Sequence, residues 1–111
     1  MASYDDSVAA ASATAGTNLI SGKNYAQKPY LRVLQGIGVV GGNAINEAKV
    51  ELFVGGVSLG TFLNTKSGVS AVQKDDVRPL DIGCLPNELV ELKVVVAPTV
   101  SPIVWQLVFA E

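Results

Sequence analysis

Histidine is absent from this 111-residue chain, cysteine and tryptophan occur once each, and only 16% of the residues carry charge. Each shortage closes a class of function. Without histidine the chain lacks the commonest general base, the commonest metal ligand and the side chain that titrates near neutral pH. Most hydrolase chemistries and zinc sites are excluded on that ground. The single thiol, Cys84, has neither a second cysteine for a disulfide nor a histidine for a catalytic pair. It reads as a small buried hydrophobe and fits a reducing compartment. Eight basic residues against ten acidic ones, with a sequence pI near 5.0, leave no cationic footprint for a phosphate backbone. Nucleic acid is therefore not an expected partner.

Long apolar runs are missing as well. No window reaches the ~18 uninterrupted apolar residues of a membrane helix, and the amino end carries Asp5 and Asp6 where a secretory leader would be basic. A soluble protein without membrane contact is expected. What the chain does have is 49% hydrophobic residues and 11 glycines in a length suited to one domain. With charge well below the ~25% usual for soluble domains, the surface has to be covered by small polar residues or by other protein.

Residues 1–24 read as an amino-terminal arm, rich in Ala, Ser, Thr and Gly, with Leu19 and Ile20 its main large apolar residues. A short helix from about Asp6 to Ala15 is its one regular element, marginal by length. Residues 25–111 read as a β-domain. Tyr30 to Gln35 alternates, with Leu31 and Val33 opposed to Arg32, and Gly36 to Gly42 bends or interrupts the strand. The clearest element is a hairpin in which Val50–Val54 and Val57–Phe62 flank Gly55-Gly56, a pair suited to positive φ at both turn positions. Pairing Val54 with Val57 predicts Val50, Leu52, Leu59 and Thr61 on the core face, and Glu51, Phe53, Ser58 and Phe62 on the other. A short edge strand is expected around Val69–Val72, then an irregular one over 76–82 containing Pro79, and an amphipathic strand over 88–97. A strand apolar on both faces follows from Ile103 to Phe109, covered on both sides or set against another chain. Six to eight strands separated by Gly, Pro and Asn clusters predict an all-β antiparallel sandwich.

Chemical motifs are few. Gly36-Ile37-Gly38-Val39-Val40-Gly41 has the letters of a dinucleotide fingerprint, but residues 43–48 leave no room for the helix that would face a pyrophosphate. A bulge or a close contact between subunits is the better reading of those glycines. Asp75, Asp76 and Asp81 match no calcium loop and sit beside Lys74 and Arg78, which makes a solvated turn. Ser70 with Lys74, and Thr65 with Lys66, lack the spacing and oxyanion hole of a Ser-Lys nucleophile. Tyr4, Tyr25, Tyr30 and Trp105 could form a sugar-stacking platform; Trp105 belongs to the most apolar strand and reads as core. No enzyme, cofactor, metal or small-molecule substrate is expected.

Arm, bent strand, Gly-Gly hairpin, Pro-interrupted middle and apolar last strand together resemble the layout of small jelly-roll virion proteins, the minor capsid or decoration proteins of bacterial and archaeal viruses. The resemblance implies a jelly-roll-like sandwich in a virion assembled in the host cytoplasm, with homo-oligomeric or other capsid proteins as partners. It carries over no functional residue. Assembly contacts are expected at Tyr4, Leu19, Ile20 and Tyr25 from the arm side, Phe53 and Phe62 on the hairpin, and Val104 and Val108 on the last strand. The alternative is a sandwich module that binds a carbohydrate or a surface ligand.

Overall fold

The computed structural model describes residues 2–9, 13–42, 44–67, 71–98 and 102–111. The described residues form seven strands: β1 (Ala2–Val8), β2 (Arg32–Gly41), β3 (Lys49–Val54), β4 (Val57–Leu63), β5 (Val77–Cys84), β6 (Val90–Val96) and β7 (Ile103–Ala110). They form a four-stranded sheet in the order β1-β7-β2-β5 and a three-stranded sheet in the order β4-β3-β6, with all pairings antiparallel. The two sheets pack as a sandwich. Leu34, Ile37, Val39, Ile103, Trp105, Leu107 and Phe109 line the inner face of the larger sheet, and Val50, Leu52, Val54, Val90, Leu92 and Val94 line that of the smaller. Burying a large apolar side chain stabilises by roughly 1.5–3 kcal/mol, so this layer is the main source of stability.

Period-2 alternation reads cleanly along β7 and along β6 as far as Val94. Beyond it a register shift against β3 ends the pattern, and Val95 and Val96 are both exposed, although the sequence pattern predicts Val96 inward with Val94. Along β2 the alternation does not hold, because a bulge at Gln35–Gly36 resets the phase. Arg32 and Leu34 face inward before it and Ile37 and Val39 after it. Leu31 and Val33 do lie opposite Arg32, but it is Arg32 that is buried, at 2%, while Leu31 is 62% exposed. Gly36 to Gly41 does not interrupt the strand but belongs to it, and Gly41 leads into a bend rather than a helix.

The hairpin turn is as expected, with Gly55 at φ 60° and Gly56 at φ 83°, and Val54 pairs with Val57. Beyond the turn the register shifts between Glu51 and Phe53, opposite Gly60, whose φ of 122° suits only glycine. One extra residue in β4 exchanges its two faces from that point on. Thr61 pairs with Glu51 on the outside, and Phe62 pairs with Val50 and packs against the core.

The amino-terminal segment also departs from its reading. Ala2–Val8 is the edge strand of the larger sheet, so the helix expected over 6–15 does not form at its described ends: Asp6–Val8 lie in β1 and Ala15–Gly16 in a turn. Low strand propensity is outweighed by the partner, since β7 offers an open row of amides and carbonyls beside an apolar face. After Ala13, which is fully buried, the chain runs along the free edge of β6. The Gly16 and Leu19 amides donate to the Val94 and Leu92 carbonyls, and the Val94 and Val90 amides donate to Thr17 and Ala26. The strand expected around Val69–Val72 lies partly outside the described residues; Ala71 and Val72 are not in a strand.

Candidate assembly surfaces

The outward faces of the two sheets differ in chemistry. On the smaller sheet, Lys49, Glu51 and Phe53 of β3 stand beside Glu91 and Lys93 of β6, with Glu51 opposite Lys93 and Phe53 opposite Glu91. The Lys93 ammonium sits 3.7 Å from Glu91 and 5.0 Å from the centre of the Phe53 ring. Ser58 donates to Glu51 on the same surface. This is a hydrated, charge-balanced face, and Phe53 is half covered by it.

On the larger sheet the two central strands put no charge outward. Val104, Gln106, Val108 and Ala110 of β7 pair with Val40, Gly38, Gly36 and Val33 of β2 on that side. The charges on this side are Asp5 and Asp81 on the edge strands and Lys74, which reaches over the face from the segment before β5. A groove of about 440 Å³ crosses this face, lined by Ser3, Gln35, Val72, Lys74, Val77, Pro79, Gln106 and Val108. Two of the lining residues, Val77 and Val72, sit directly on glycines of β2. A Cβ on Gly36 would come within 2.7 Å of the Val77 Cγ1, and one on Gly38 within 2.5 Å of the Val72 Cγ1. The glycine run therefore admits Val72 and Val77 against the strand, a close approach within the chain.

The segment that overhangs this groove is held by Asp76. Instead of lying in a solvated turn, Asp76 is 4% exposed. It accepts hydrogen bonds from the Thr65 hydroxyl at 2.8 Å and the Gln73 amide at 2.9 Å, and its other close partner is the Lys66 ammonium at 3.1 Å. Burial alone would raise its carboxyl, but the Gln73, Thr65 and Lys66 donors outweigh burial and hold it below the ordinary 3.8. A depressed folded-state value means that this stabilisation is complete above the unfolded value and disappears as pH falls through the folded one. Asp76→Ala is expected to cost about 1–3 kcal/mol at pH 7. In urea titrations, the gap to wild type should close as pH drops below the ordinary aspartate value; a gap that persists at the acid end would remove Asp76 from this role. Asn64, fully buried, plays the matching part for residues 41–48. Its amide donates to the Gly41, Ala44 and Lys66 carbonyls and accepts from the Ala48 amide. Neither network could be read from sequence, because both join residues from separate turns.

The aromatic residues gather inward. Tyr25 is 5% exposed, Trp105 is fully buried and its indole N–H donates to the Tyr25 hydroxyl at 3.3 Å. Tyr4 stacks on Tyr25 at 4.6 Å and meets Phe109 edge-on at 5.9 Å, while Arg32 lies over the Phe109 ring at 4.1 Å. The Tyr4 hydroxyl donates to Glu111 at 2.8 Å. Burial, then the hydrogen bond and charge of Glu111, pushes the Tyr4 phenol up to about 12, so it remains a donor at ordinary pH. Only Tyr30 of the four proposed platform residues is exposed, at 40%, and no stacking platform forms among the described residues.

Of the eight residues expected at assembly contacts, Leu19, Ile20 and Tyr25 are buried within this chain and offer no free area. Phe62 turns inward past the Gly60 bulge, and Tyr4 fastens β1 to its own sheet. Phe53 lies on the charged face. Val104 and Val108 are the two that share the apolar outer face, both half-buried. Gln106 belongs with them, and so do Val72 and Val77, which the glycine run Gly36–Gly38 admits against β2; that run was the signal that could have located them. Cys84 is fully buried, which pushes its thiol pKa up. Among the described residues no group of three or more His, Cys, Asp or Glu could hold a metal ion, and no helix is long and apolar enough to cross a membrane. Comparison with protein-family models, curated proteins and solved structures finds no match.

Proposed function

We propose that this protein is a non-enzymatic structural subunit that assembles, with copies of itself or with companion shell proteins, into a symmetric oligomer or a virion capsid within the host cytoplasm. The observation that carries the reading is the difference in charge between the two outer faces: the smaller sheet carries Lys49, Glu51, Glu91 and Lys93, whereas the two central strands of the larger sheet turn only uncharged residues outward, with Val33, Val104 and Val108 half-buried there. A groove flanked by uncharged side chains, like the one that crosses this face, is a surface suited to cover by another protein. The jelly-roll likeness and the amino-terminal arm belong to the same proposal, and a two-layer sandwich with an edge strand drawn from residues 2–8 is compatible with both.

Sedimentation velocity on the wild-type chain and on Val104→Asp/Val108→Asp tests it. Burying two uncompensated carboxylates costs several kcal/mol, so the variant's association should weaken by about 100-fold or more while its far-UV spectrum stays that of the wild type. A wild-type chain that remains monomeric at every accessible concentration overturns the reading.

A further inference from the structure

We propose that β1 is exchanged between copies, so that in the assembled protein residues Ala2–Val8 of one copy pair with β7 of a neighbour. The inference rests on the self-assembly reading above and names the contact by which copies join. Donor and acceptor are unequal. β7 has Ile103, Trp105, Leu107 and Phe109 fully buried, whereas β1 has no fully buried side chain among those described. Its inward residues, Tyr4, Asp6 and Val8, are half-buried, and Ser3, Asp5 and Ser7 face solvent. β1 thus adds only the half-buried Tyr4 and Val8 to the margin of the core, whereas β7 lies within it and depends on β1 to close its edge. With β1 removed, an apolar strand without a charged residue between Ile103 and Ala110 would become an open edge, the arrangement most prone to pair with another chain.

The contacts that hold β1 are all with residues elsewhere in the chain. Asp6 pairs with Lys23, Tyr4 stacks on Tyr25 and donates to Glu111, and the backbone pairs with β7 from Ala2–Phe109 to Val8–Ile103. The Lys23 partner holds the Asp6 carboxyl below its ordinary value, which marks real charge complementarity at the joint. A β1 strand from a second copy meets the same partners without any new contact, which is the condition under which exchange is cheap. In sequence only four residues, 9–12, separate β1 from Ala13, so the stretch of chain available for the crossing is short.

Ser3 and Val108 are direct cross-strand partners. Chains carrying Ser3→Cys alone and Val108→Cys alone, co-refolded under reduction and then oxidised, should yield an interchain disulfide between the two substituted positions in a large fraction of the assembled material. Asp6→Lys and Lys23→Asp chains give an independent measurement. Each alone sets like charges against each other, and their mixture should show, by native mass spectrometry, a severalfold excess of mixed over unmixed pairs. Oligomers with neither the interchain link nor the mixed-pair excess overturn exchange and leave self-assembly standing. Monomers with neither overturn both.

Discussion

Trp105→Ala should destabilise the fold by about 3–5 kcal/mol, the usual cost of truncating a large buried aromatic residue. Trp105 occupies the middle of β7, between Asp6 of β1 and Val39 of β2, and is fully buried. The substitution opens a void at the point where three segments meet, and it also removes the donor that the Tyr25 hydroxyl accepts. Tyr25 in turn supports the stacked Tyr4 ring, so the damage should reach β1. Domains have only about 5–15 kcal/mol of stability in total, and a domain of this size loses roughly 4 °C of Tm per kcal/mol. A fall of about 12–20 °C by circular dichroism is the expected result. Trp105→Phe, which keeps most of the ring volume, should recover at least half of it. A change under 1 kcal/mol in Trp105→Ala would be incompatible with the core described.

The second large effect concerns Arg32. Its guanidinium is buried, Nη1 and Nη2 have no hydrogen-bond partner among the described residues, and the nearest anion is Glu111 Oε1 at 3.8 Å. Breaking a buried pair by removing one partner costs about 3–5 kcal/mol, because the remaining charge is left without compensation. Glu111 retains some exposure, its side chain being 19% accessible, so water offsets part of this. Glu111→Ala is therefore expected to lose about 2–3 kcal/mol by urea denaturation. Arg32→Met combined with Glu111→Gln removes both charges and keeps the packing over Phe109; it should come back to within about 1 kcal/mol of wild type. If the double variant is as unstable as Glu111→Ala, packing rather than charge explains the loss.

The sequence made legible whatever is decided locally. Gly55-Gly56 announced its turn because few other residue pairs take positive φ twice, and the alternation named the inward residues of β7 and those of β6 as far as Val94. The misreadings have a common cause in contacts with distant segments. A bulge is one residue long, and whether Gln35–Gly36 or Gly60 absorbs it is set by the partner strand, although a glycine within a strand was a usable sign. β1 has poor strand propensity and pairs with β7 at the far end of the chain. Arg32 looked like the polar side of an amphipathic strand because Leu31 and Val33 flank it; only Phe109 and Glu111 make its buried position tolerable. The charged face of β3 and β6 was readable from Glu51, Glu91 and Lys93. The uncharged face was half readable, since Val104 and Val108 were visible but the seating of Val72 and Val77 on Gly38 and Gly36 beside them was not.

The chain running from Gly16 to Ala26 along β6 has a consequence for growth. It occupies the hydrogen-bonding edge of the smaller sheet on one side, while among the described residues no backbone bond reaches the outer edge of β4. A sheet with both edges free can add copies at either end and lengthen without limit. With β6 capped, the smaller sheet can join one neighbour through β4 and then has no edge left to offer. Pairing through that sheet terminates at two copies, so the molecule is protected from fibre formation along this direction.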